Sequence, residues 1–149
     1  MSAREWSLPL AYTKPPMSLN DAPPASRGGR IAQSARKASI RKHACDVALA
    51  ARIPRLERFS ATLHYQPRDN RARDAMNLYA THKHLVDGLV EAGICVDDDD
   101  RHFVDIPPVI HSAKKGEPGR MWLVVVDLGH LPGTQTALEI PTTKGLPIS

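Results

Sequence analysis

The sequence predicts one small α+β (or α/β) domain, a mixed β-sheet covered by two helices. Three observations lead there. The chain has 149 residues, 42% of them apolar, which is enough for one hydrophobic core and short for two. Two stretches carry apolar residues at helical intervals. The short runs between them either alternate or are continuously apolar, in the order strand, helix, strand, helix, strand, strand. Only 5% of the residues are aromatic, so the core falls mainly to Val, Leu, Ile and Ala.

Residues 1–29 read as an extended N-terminal segment. A first strand is expected near 6–10 (Trp6-Ser7-Leu8-Pro9-Leu10), and Pro15 and Pro16, which have no amide hydrogen to give, follow it in a loop. Pro23 to Gly29 reads as a flexible stretch. A first helix is predicted over 31–52, with Ile31, Ala35, Ala38, Ala44, Val47, Ala48 and Ala51 recurring on one side and Arg36, Lys37, Arg41 and Lys42 charged on the other. Pro54 stops it. From Arg58 to Gln66, Phe59, Ala61, Leu63 and Tyr65 alternate with Ser60, Thr62, His64 and Gln66, the pattern of a half-buried strand. Pro67 to Arg73 is a polar loop.

A second helix is predicted over 75–92, on a stripe of Leu78, Leu85 and Leu89 widened by Val86 and Val90. Asp74 stands at its N-cap and Gly93 just past its end. A strand over 103–110 is broken by Pro107 and Pro108. The apolar run 121–128 reads as a central strand buried on both faces. The domain core is thus set at 30–128, and 129–149 as an irregular tail. Phe59, Trp122 and Met76 are all expected in the core.

The net charge is +4, and its distribution says more than its size. Nine Lys or Arg residues face two acids between Arg27 and Arg58; seven acids face one arginine between Asp87 and Asp105. A basic half and an acidic loop suit a protein that grips a polyanion and holds a divalent cation, and equally two solvated faces of opposite sign. The two cysteines, Cys45 and Cys95, form no zinc pattern, which fits a reducing, cytoplasmic setting. Nothing approaches the roughly 18 consecutive apolar residues of a membrane span.

The stretch from Arg71 to Asp105 carries the chemistry. It sets carboxylates at a helix start (Asp74), inside the helix (Asp87) and past its end (Asp97, Asp98). Hard divalent cations bind carboxylate oxygens, and such an ion can activate water for attack on a phosphodiester. A nearby lysine can neutralise developing phosphate charge. The ends of an 18-residue helix are about 27 Å apart. Asp74 and Asp98 can therefore meet only if the chain folds back along the helix after Gly93, or if the helix starts later than Asp74. His82 and His84, two apart on a helix, do not share a face and do not suggest zinc.

Taken together, Asp74-Ala75-Met76-Asn77, Lys83, Leu85-Val86-Asp87-Gly88-Leu89, Gly93-Ile94-Cys95-Val96 and Asp97-Asp98 resemble the signature of RusA-type Holliday junction resolvases. Pro15-Pro16-Met17-Ser18-Leu19-Asn20 resembles the family's N-terminal entry, and the likeness spans about residues 6–128. The resemblance implies a homodimeric, Mg²⁺-dependent DNA endonuclease (Mn²⁺ substituting) that nicks four-way junctions symmetrically, in recombination in a bacterial host or phage-infected cell. Catalysis then falls to Asp74, Asp98 and Lys83, and the metal to Asp74, Asp98 and Asp97. DNA contacts fall to Asn20, Arg36, Lys37, Arg41, Lys42, Arg71 and Arg73.

Two departures stand out. Position 76, a carboxylate in the pattern, is Met76, and a thioether is a poor match for Mg²⁺. Lys83 also lies six residues beyond Asn77, farther than in compact members. Asp97, Asp99 and Asp69 are the candidates to replace the missing carboxylate. Two alternatives to an active nuclease follow. One is a junction-binding protein with weakened chemistry. The other is an unrelated small α/β protein with an acidic partner.

Overall fold

The computed structural model describes residues 4–18 and 24–130. Asn20 and residues 131–149, most of the expected tail, lie outside this set. The element order is β1 (Glu5–Pro9), α1 (Arg27–Ala50), β2 (Arg58–Gln66), a 3-10 turn (Ala75–Leu78), α2 (Tyr79–Glu91), β3 (Phe103–Asp105), β4 (Val109–Ile110) and β5 (Arg120–Gly129). The sheet runs β1-β5-β2-β3, with β4 also paired to β2. β5 lies antiparallel to both β1 and β2, while β3 and β4 run parallel to β2. The result is a single-domain α+β fold with a mixed, open sheet.

Both helices cover the same face of this sheet. Leu8, Phe59, Ala61, Leu63, Tyr65, Met121, Leu123 and Val125 form one buried cluster with Ile40, Ala44 and Ala48 of α1 and Leu85, Val86 and Leu89 of α2. The alternation read in β2 is thus the real one. β5, however, is buried on one face only. Trp122, Val124 and Val126 stand half-buried on the side away from the helices, because both helices lie on the other face. Trp122 is therefore not core. Its ring stacks on His64 at 5.2 Å and His111 at 4.9 Å, with the Arg120 guanidinium 4.7 Å from its centre.

Helix α1 starts four residues before the expected position. Ser26 accepts a hydrogen bond from the Gly29 amide and caps the helix, so Gly28 and Gly29 are helical rather than loose. Its buried stripe is Ile40, Ala44 and Ala48; Ile31 is 60% exposed, and Ala35 and Ala38 are exposed as well. None of the first three turns carries a buried residue, so the apolar interval there packs on no core. At the far end Arg52 takes a left-handed φ of 56°, and Pro54 follows.

Two glycines fix how α2 sits. A Cβ at Gly88 would run into the Arg41 carbonyl oxygen and stand 2.8 Å from Ala44 Cβ, so α1 and α2 cross closely here because position 88 has no side chain. Gly93, at φ +85°, turns the chain at the end of α2. Ile94 then donates to the Leu89 carbonyl and accepts from the Leu56 amide at 2.6 Å. The acidic segment is thereby sent back along α2.

Candidate functional site

The N-terminal proline segment is tied to α2. The Met17 amide donates to Thr81 Oγ1 at 3.2 Å, and the Thr81 hydroxyl donates to the Met17 carbonyl at 2.9 Å, both buried. This places Lys14, Pro15 and Ser18 beside the loop 71–74. Together with Tyr65, Asn77, Leu78 and Ile110 they line a hollow of about 390 Å³. A second hollow of about 420 Å³ shares Lys14, Tyr65, Arg71 and Arg73 with the first and adds Arg68, Thr13 and Gly119. Four cations thus surround one concave region at the end of the sheet.

Asp69 organises the three arginines. It accepts from Arg71 Nε at 3.1 Å and Arg73 at 2.8 Å, with Arg68 at 3.8 Å. The Arg73 hydrogen bond, then the Arg71 amide, holds its carboxyl down to about 2. Arg73 also donates to the Asp69 and Arg71 carbonyls and lies 6.0 Å over the Tyr65 ring. Asp74 caps the 3-10 turn, accepting from the Met76 amide at 2.9 Å, as its N-cap position predicts, while its residue also lines the first hollow.

The chain does fold back along α2 after Gly93, yet Asp98 does not reach Asp74. Asp98 lies against the flank of α2, 3.3 Å from Lys83, which also pairs with Asp87 at 3.1 Å. The Asp87 hydrogen bond, with both carboxylate charges, raises the Lys83 ammonium above its usual range. Asp87 is therefore the lysine's second partner. These residues open on a third hollow of about 250 Å³ lined by Tyr79, His82, Lys83, Val86, Asp98, Phe103 and Asp105. Edge strand β3 supplies Phe103 and Asp105. His82 donates from Nε2 to the Ala61 carbonyl at 2.8 Å, and burial pushes its pKa down.

The other predicted residues divide. Arg41 is 3.1 Å from Glu91, and Lys42 is 2.8 Å from Asp46; Arg36 and Lys37 have no ion-pair partner among the described residues. Met76 is not packed in the core, being 56% exposed. The Mg²⁺ set implied by the resemblance does not fit this arrangement. Asp74 and Asp98 line different hollows, and Asp97 accepts from the Asp98 amide at 2.7 Å. Among the described residues no three His, Cys, Asp or Glu groups gather closely enough to hold a metal. The possible substitutes are engaged too: Asp69 with arginines, Asp99 with His102 at 2.6 Å.

The sequence reading missed Lys14, Arg68 and Asp105. Lys14 and Arg68 flank the segments it singled out; Asp105 was legible only as one acid among seven, since its place opposite α2 depends on the pairing of β3. No protein-family model matches the chain, and no curated protein matches it in sequence.

Proposed function

We propose that the protein binds branched DNA in the manner of a RusA-type junction resolvase, as a homodimer, with cleavage chemistry weakened at position 76. The observation that carries this reading is the basic double hollow. Lys14, Arg71 and Arg73 line the hollow that also holds Asp74 and Asn77, and Arg68 lines the adjoining one. Phosphate contacts supply most of the affinity of such proteins. Arg36 and Lys37 of α1, with no ion-pair partner among the described residues, are further cations this reading assigns to a DNA arm. The exposed Met76 supports the weakened form of the reading. It stands in solvent beside the Asp74 cap, where a carboxylate would be free to act and a thioether offers little to a hard cation.

A second reading, an active Mg²⁺- or Mn²⁺-dependent nuclease, is favoured by the fold-back that brings Asp98 to Lys83. One assay separates the two. A labelled four-way junction is titrated with the protein, then incubated with Mg²⁺ and separately with Mn²⁺. The first reading expects binding that weakens steeply with salt and no nicking, with nicking gained in Met76→Asp. Nicking by the unaltered chain that is lost in Asp98→Asn selects the second. Failure to bind branched DNA at low salt overturns both.

A further inference from the structure

The hollow beside Asp74 has more shape than phosphate contact requires. A phosphate can be held by arginines on an open surface, whereas this region is a concavity of about 390 Å³, within the size range of small-molecule sites. Its lining has three parts. Lys14 and Arg71 supply positive charge at the wall. Tyr65, Leu78 and Ile110 form an apolar floor, and Asn77 adds an amide with both donor and acceptor capacity. The Arg73 guanidinium is fixed beforehand by its bonds to Asp69 and to two carbonyls, which leaves a planar cation over Tyr65. A planar guanidinium and an apolar floor are what an unstacked base uses for its faces, and an amide serves its edge.

The adjoining hollow gives the rest of a strand somewhere to go. It continues past Arg68 to Gly119, where a Cβ would collide with the Thr13 carbonyl oxygen; the wall there is backbone. A base inside a duplex cannot reach such a hollow, because its faces are stacked and its edge is paired. A base at a branch point loses least on leaving the stack.

Resting on the branched-DNA reading, we propose that this hollow takes one unpaired deoxynucleotide of the bound strand. Its phosphate lies on Lys14 and Arg71, its ring lies against the Arg73 guanidinium that covers Tyr65, and its edge meets Asn77. The site is thus a reader of strand opening, separate from the Lys83–Asp98 hollow.

The test uses Ala72→Trp, which fills the hollow from an exposed position that carries no charge and no core contact. Junctions carry the fluorescent base 2-aminopurine at each position flanking the branch. The unaltered protein should bind and raise the fluorescence at one position, as unstacking does. Ala72→Trp, brought to saturation on the junction at low salt so that any loss of affinity is offset by concentration, should give no rise at any position. Binding with no rise anywhere, or an equal rise in Ala72→Trp, overturns the proposal. If no junction binds, the branched-DNA reading fails, and the hollow is judged on a six-nucleotide single strand and on deoxyadenosine monophosphate alone. Strand binding weakened on the order of tenfold by Ala72→Trp upholds the site. No strand binding, or free nucleotide bound as tightly as the strand, overturns it.

Discussion

Met76 sits in the first turn after the Asp74 cap with its side chain in solvent. A carboxylate there neither breaks packing nor opposes the helix dipole. Met76→Asp should therefore change stability by no more than about 0.5 kcal/mol, and Mg²⁺-dependent nicking absent from the unaltered chain should appear in it. A urea titration and a junction-nicking time course check the two halves; a folded variant that still fails to nick argues against position 76 as the missing ligand. Lys14 belongs to the same scale. It lines both basic hollows without a role in the core, so Lys14→Ala should weaken binding similarly across junction sequences and lower the salt slope by about one. Binding measured at several salt concentrations decides this, and an unchanged slope removes Lys14 from the phosphate contacts.

At the scale of elements, the crossing of α1 and α2 decides where Lys83 and Asp98 stand. Gly88 lets the helices approach to backbone contact, so Gly88→Ala must push them apart. It should destabilise the protein by about 1–3 kcal/mol, even though alanine is the better helix former; a stabilised variant would mean the helices do not touch there. The N-terminal half of α1 differs in kind. Its Ser26 cap forms it and no core holds it, which leaves Ile31 in solvent. The alternation in β2, the Asp74 cap, the Gly93 turn and the interruption of 103–110 at Pro107-Pro108 were all legible, because each is a local matter of side-chain spacing or backbone freedom. The start of α1 was not, because a single serine hydroxyl outweighed two glycines.

For the whole molecule, buried and half-buried histidines link stability to pH. His82, His64, His43 and His84 all have pKa values pushed below 6.5, in each case chiefly by burial. The folded state therefore holds fewer protons than the unfolded chain just below pH 6.5. Their stabilisation is complete above that pH and is lost as the pH falls through the folded values. His130, raised by Glu57, acts the other way, but from an exposed position. Urea unfolding should show lower stability at pH 5 than at pH 7, and His82→Gln should flatten that difference. An equal slope in the variant would mean that His82 is protonated alike in both states.

The sequence alone determined the α+β class, the two helices, the inward residues of β2 and the turn at Gly93, since these follow from periodicity, caps and residues with special backbone freedom. It also showed the carboxylates, the basic segments and the methionine at position 76. Tertiary structure alone decided that both helices cover one face, which leaves Trp122 half in solvent. It brought Asp98 back to Lys83, set Asp74 in a different hollow, and drew Lys14, Arg68, Arg71 and Arg73 together. Those outcomes depend on strand pairing and helix crossing between residues far apart in the chain, and no local pattern fixes such distances.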